Sequence, residues 1–74
     1  MKEMMIKLET IKDVQKFVGI VERCPFPLDL TSGRYTVDAK SLMGIFSLDL
    51  MQPIKLVAVE EDANLFAQLE QFKA

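Results

Sequence analysis

The stretch "VDAKSLMGIFSLDL", residues 37–50, carries more apolar side chains than one short helix commonly buries. Ser41 stands where a helix can begin, and six of the nine residues after it are large and apolar. On a helical wheel these side chains cover an arc of roughly 220°, about twice the ~100° stripe of a typical surface helix. We therefore expect a short helix from about Leu42 that turns part of its apolar surface to solvent.

The apolar residues of this helix fall into two groups. Ile45 and Leu48 lie together on the wheel, and we expect them to face the core. The second group cannot face the same way, and it consists of Leu42, Met43, Phe46 and Leu50. A partly exposed cluster of leucine, methionine and phenylalanine is typical of a protein-binding surface. We expect the first three members of the second group to form such a surface.

The composition predicts one small domain over residues 1–74. Half of the residues are hydrophobic and 27% are charged, which is typical of a globular protein and not of a disordered one. The net charge of −2 and the lack of a Lys/Arg cluster argue against nucleic acid as a partner. Cys24 is the single cysteine and cannot form an internal disulfide. No apolar run is long enough to span a membrane, and the charged N-terminal residues are not a signal peptide, so we expect a cytoplasmic protein without membrane insertion.

Alternating and helical hydrophobic patterns predict elements in the order β-α-β-β-α-β-α. The strands are expected at residues 4–9, 28–32, 34–38 and 54–59, with a tight turn at Ser32-Gly33. The helices are expected from Thr10 to before Cys24, from about Leu42 to Pro53 with regular helix ending before Asp49, and from Asp62 through Phe72. The economical fold is α+β, a four-stranded antiparallel sheet with three helices on one face. A ferredoxin-like arrangement shares the first six elements and stays open on pattern alone.

Side chains able to support catalysis or metal binding are nearly absent. There is no histidine and one cysteine, so the chain has no zinc site and no Ser/His or Cys/His dyad. The acidic run Glu60, Glu61 and Asp62 is better explained as a turn and a helix N-cap than as a cation site. Cys24 precedes a proline and is better explained as a half-buried small apolar residue than as a nucleophile, and the glycines are too scattered for a phosphate-binding loop. The sequence predicts no metal, no cofactor and no enzymatic activity.

The segment from Val37 through Leu48 resembles the region around the regulatory serine of HPr, the phosphocarrier of the bacterial phosphotransferase system. That family typically reads V-[ND]-[AL]-K-S-[IL]-M-G-[VIL]-[ML]-S-L there, and the match is nearly complete. The element order, the Ser-Gly hairpin and the E-D-A start of the final helix also fit the family. The resemblance covers most of residues 26–74, and the first third by topology alone. It implies the HPr-like open-faced β-sandwich, in which the first and last strands are neighbours.

The first third departs from the family at the residue that carries phosphate. HPr proteins have a histidine, usually in an H-[AT]-R-P run, at the start of the first helix. Here the corresponding stretch is "LETIKDVQKF", residues 8–17, which has no histidine and no matching arginine or proline. A phosphohistidine needs an imidazole nitrogen as nucleophile. The resemblance therefore does not carry the phosphocarrier role over to this chain.

The resemblance implies instead a non-catalytic, regulatory role in sugar transport through protein binding. Ser41 matches the regulatory phosphorylation site, the target of HPr kinase/phosphorylase. Leu42, Met43 and Phe46 match the surface that would contact that kinase or a transcriptional regulator. From the residues alone Ser41 is a helix N-cap with an exposed hydroxyl, and the two roles are compatible. The alternative is an HPr-fold binding or structural module recruited to a partner unrelated to sugar transport, because a shared fold does not fix function.

Overall fold

The computed structural model describes all 74 residues and contains four strands and three α-helices. The strands are β1 (Lys2–Ile6), β2 (Leu28–Ser32), β3 (Tyr35–Asp38) and β4 (Ile54–Ala58). The helices are α1 (Ile11–Val21), α2 (Leu42–Phe46) and α3 (Ala63–Leu69), and a 3-10 turn at Glu70–Phe72 extends α3. The predicted element order is confirmed.

The strands form one antiparallel sheet in the order β1-β4-β2-β3. The first and last strands are neighbours, as the resemblance implies, with Met4 opposite Leu56. β1 lies at an edge of the sheet rather than between two strands, which excludes the ferredoxin-like arrangement. The predicted α+β fold, an open sheet with helices on one face, is confirmed.

The helices cover one face of the sheet, and the other face is open to solvent. Alternate residues of β2 and β4 point to the covered face and are buried: Leu28, Leu30, Ile54, Leu56 and Ala58. The residues between them, such as Lys55 opposite Thr31, lie on the open face. The helices complete the core with Val14, Phe17 and Val21 from α1 and Leu65, Phe66 and Leu69 from α3. Phe72, in the 3-10 turn after α3, is buried as well.

The predicted bounds of the first strand are wrong. We expected residues 4–9, whereas β1 ends at Ile6. The next residue of the opposing chain is Pro53, which has no amide to donate, and the amide of Lys7 bonds instead to the carbonyl oxygen of Phe72. Ile6 and Leu8 are both fully buried on either side of the end of β1.

The expectation that Pro53 ends the second helix is also wrong. α2 ends at Phe46, before Asp49 as the wheel indicates. The hydroxyl of Ser47 donates to the carbonyl oxygen of Gly44 at 2.6 Å, and its amide bonds to the same oxygen. These local bonds close the last turn of the helix well before the proline.

The hairpin between β2 and β3 turns at Gly33 and Arg34, one residue later than the predicted pair. Gly33 has a φ of +60° and is the one residue in the chain with positive φ. A two-residue turn with positive φ at its first position alone is the II′ type, for which glycine is favoured. Tyr35 and Val37 share a face of β3, and Tyr35 is 72% exposed.

Candidate functional site

Ser41 begins α2 as its N-cap, as the sequence predicts. Its backbone is extended, and its Oγ accepts a hydrogen bond from the amide of Gly44 at 3.1 Å. Its own amide donates to the carbonyl oxygen of Asp38 at the end of β3. The residue is half-buried rather than exposed. Ser41 is therefore held at the start of α2 through both its backbone and its side chain.

Lys40 fastens the start of α2 to the loop after α1. Its Nζ donates to the carbonyl oxygens of Cys24 at 2.7 Å and Phe26 at 3.1 Å. Its amide donates to Oδ1 of Asp38 at 2.9 Å. The ammonium group is thus committed to the backbone of this chain. Sequence reasoning missed this role, because the sequence shows only that a lysine directly precedes Ser41.

The apolar side of α2 that does not face the core is open to solvent beside Ser41. Leu42 is 38% exposed, Met43 is 81% exposed and Phe46 is 41% exposed. Ile45 and Leu48 are buried. We call Leu42, Met43 and Phe46 the α2 patch. The division of this helix into a buried and an exposed apolar side agrees with the wheel.

The start of α1, where HPr proteins carry their histidine, is closed by a capping box. The Oγ1 of Thr10 accepts from the amide of Asp13 at 3.0 Å. The carboxylate of Asp13 in turn accepts from the amides of Glu9 at 3.1 Å and Thr10 at 3.3 Å. The carboxylate of Asp13 thus satisfies these two amides and places a negative charge at the start of α1.

Gly44 is a further residue of this site that sequence reasoning missed. A Cβ at this position would lie 3.1 Å from the Oγ of Ser41 and 3.3 Å from the Cβ of Val37. Both distances are shorter than an ordinary van der Waals contact. The sequence does place Gly44 three residues after the N-cap, which is the position whose backbone amide bonds to the serine. Glycine therefore lets α2 approach both Ser41 and β3 closely.

Gly44→Ala is expected to gain less stability than Gly19→Ala. Both glycines lie inside helices, where alanine is favoured by about 0.5–1 kcal/mol. A Cβ at Gly19 meets no atom within 4 Å, so Gly19→Ala should realise this gain. In Gly44→Ala, crowding of the new Cβ against Ser41 and Val37 should cancel part or all of the gain in stability. Urea unfolding of both variants measures the difference, and equal gains would show that position 44 is not crowded.

The other candidate residues form no reactive or metal-binding cluster. Asp62 is the N-cap of α3, and its Oδ1 accepts from the amides of Asn64 and Leu65. No three histidine, cysteine, aspartate or glutamate side chains are placed to hold a metal ion. Cys24 is buried in the wall of a cavity of about 150 Å³ between the end of α1 and the start of α3. None of the helices is both long enough and apolar enough to cross a membrane.

Two solved structures are similar to this fold over nearly the whole chain. HPr-C-His from Thermoanaerobacter tengcongensis is 25% identical, with a TM-score of 0.79 over 96% of this chain and 89% of that chain. The protein is HPr-like. The phosphocarrier protein HPr from Bacillus anthracis str. Ames is 24% identical, with a TM-score of 0.72 over 97% of this chain and 94% of that chain. No protein-family model matches the sequence, and the comparison with curated proteins finds no match.

The likeness to HPr includes the first third of the chain, where the sequence resembles that family by topology alone. One of the two neighbours is named as a phosphocarrier, which is a carrier of phosphate and not a catalyst. The HPr-like chain has a capping box and no histidine at the start of α1. Ser41 is the N-cap of a helix with one exposed apolar side. The start of α1 therefore departs from the HPr pattern, whereas the start of α2 follows it.

Proposed function

We propose that this HPr-like protein is a non-catalytic regulatory protein that binds partner proteins through Ser41 and the α2 patch. In this proposal it carries no phosphate on histidine. The observation that supports it is the exposure of Leu42, Met43 and Phe46 directly after the N-cap serine. Exposed apolar side chains gathered on one helix are typical of a surface that a partner covers.

Phosphorylation of Ser41 would change the charge beside the α2 patch. A phosphoserine carries close to two negative charges, and it would lie at the positive end of the α2 dipole, where negative charge is stabilising. Lys40 would remain bound to the carbonyl oxygens of Cys24 and Phe26 and would not neutralise the phosphate. A dianion beside an apolar surface alters electrostatic complementarity more than shape, so it would change which partners bind.

Incubation with phosphoenolpyruvate and the first enzyme of the phosphotransferase system is expected to give no acid-labile phosphoprotein. The chain has no histidine, and the amides of Glu9 and Thr10 at the start of α1 already bond to the carboxylate of Asp13. Phosphate incorporation and its lability in acid measure this, with HPr from Bacillus anthracis as the positive control. A stoichiometric acid-labile adduct would contradict the proposal.

Purified HPr kinase/phosphorylase with ATP is expected to phosphorylate Ser41, and mass spectrometry of the digested protein locates the phosphate. Ser47→Ala removes the exposed serine that follows α2 and should leave incorporation unchanged. Ser41→Ala should abolish it. Because the missing cap lowers the free energy of unfolding by about 0.5–2 kcal/mol, circular dichroism first checks that the Ser41→Ala variant is folded.

The same experiment separates the two candidate roles. Incorporation at Ser41 that is lost or reduced in Phe46→Asp supports a role that joins the serine to the α2 patch. Absence of phosphate on the wild-type protein rejects the kinase as a partner. That result favours the alternative, an HPr-fold module that docks a partner unrelated to sugar transport.

A further inference from the structure

The β1 edge of the sheet is protected against further pairing. Ile6 pairs with Lys73, and the amide of Ala74 donates to the carbonyl oxygen of Met5 at 3.0 Å. The C-terminal residues thus cover the end of this edge. The part of the β1 edge that these residues leave uncovered begins with Lys2, and charged residues on an edge strand discourage pairing with another chain.

No strand pairs with the outer side of the β3 edge, and its one charged residue, Asp38, is the last of the strand. The strand Tyr35–Asp38 contains no lysine and no proline. Ser32 lies opposite Tyr35 next to the two-residue turn, so the backbone groups of Tyr35 and Val37 face β2. The amide and carbonyl groups of Thr36 therefore point outward, and Thr36 is exposed. An edge of this kind is a template for another strand.

We propose that β3 pairs antiparallel with β3 of a second copy of this chain, about a twofold axis at Thr36. The register sets Thr36 opposite Thr36 and Tyr35 opposite Val37 of the second copy. It also sets Arg34, in the turn just before β3, opposite Asp38 of the second copy. Threonine pairs, aromatic residues opposite β-branched residues, and opposite charges are each favourable across antiparallel strands. The edge is complementary to itself at every position.

The charges on the open face support this register. Asp38 lies directly opposite Asp29 of β2, and like charges in this position are unfavourable. The one ion pair in the chain joins Lys55 to Glu3, so neither aspartate has a cationic partner. Arg34 of the second copy would lie on the free side of Asp38 and would supply the missing positive charge.

The geometry of the dimer follows from the axis. A twofold axis perpendicular to the sheet joins the two four-stranded sheets into one and leaves both helical layers on the same side. The strand contributes four residues, so the interface is small and the dimer is expected to be weak. This inference concerns a different surface from the α2 patch and does not depend on the proposed function.

Sedimentation equilibrium over a concentration series tests the proposal. The average mass of the wild-type protein is expected to rise from that of the monomer towards twice that value. Arg34→Asp and Asp38→Arg should each weaken the dimer at least about tenfold, because two attractive pairs become repulsive. An equimolar mixture of the two variants should restore association, since opposite charges again face each other at both pairs. Lys16→Glu makes a charge reversal of the same size on the exposed side of α1 and should leave association unchanged.

Thermal unfolding checks the variants first, because Asp38 also accepts a bond from the amide of Lys40. If Asp38→Arg does not fold, the comparison of Arg34→Asp with Lys16→Glu still decides the question. A wild-type protein that stays monomeric at the highest concentration attainable overturns the proposal. A dimer that persists in Arg34→Asp also overturns the proposal. If that dimer is lost in Phe46→Asp, the α2 patch is the surface of self-association instead.

Discussion

Phe17→Ala is expected to lower the free energy of unfolding by about 3–5 kcal/mol, which is most of the stability of a domain this small. Phe17 is fully buried, and its ring meets that of Phe72 edge-to-face with centroids 5.8 Å apart. This contact joins α1 to the 3-10 turn that follows α3. The truncation would lose the transfer free energy of the ring, and it would also leave a destabilising cavity between these elements.

Phe46→Ala is the matched control for this prediction. Phe46 is 41% exposed, so the same truncation should cost well under half as much. Urea unfolding followed by circular dichroism measures both variants. Similar losses in the two would mean that Phe46 is part of the core, which would also remove the basis for the α2 patch.

Lys40→Met is expected to cost about 1.5–3 kcal/mol. Methionine keeps the length and the apolar stem of the side chain but removes the ammonium group. The carbonyl oxygens of Cys24 and Phe26 then lose a charge-assisted donor in a half-buried position. The loop after α1 would no longer be fastened to the start of α2.

Two other lysines calibrate this effect. Lys7→Met removes a single bond to the carbonyl oxygen of Leu50 at 3.1 Å and should cost less than Lys40→Met. Lys16 is exposed and has no partner, so Lys16→Met should change the free energy of unfolding by less than about 0.5 kcal/mol. Equal effects of all three changes would show that the bonds of Lys40 do not stabilise the fold.

Much of the candidate site could be predicted because it depends on neighbours in the sequence. Ser41 caps α2 through a bond to an amide three residues away, and the wheel of α2 separates buried Ile45 from exposed Phe46. Both relationships lie within one helical turn. The role of Lys40 could not be predicted, because it depends on where the loop after α1 comes to lie. Gly44 was missed for a related reason, since its close contact with Val37 crosses from α2 to β3.

The order of the elements, the buried face of each helix and the absence of a histidine nucleophile all follow from the residues as written. Periodicity and side-chain chemistry are local properties, so a single chain reveals them. The end of β1 at Ile6, the pairing of Ala74 with Met5 and the open outer side of β3 do not follow in this way. Each depends on which backbone amide or carbonyl group meets which other group across the fold. Hydrogen bonds between distant segments satisfy such groups, and their partners exist only once the chain has packed.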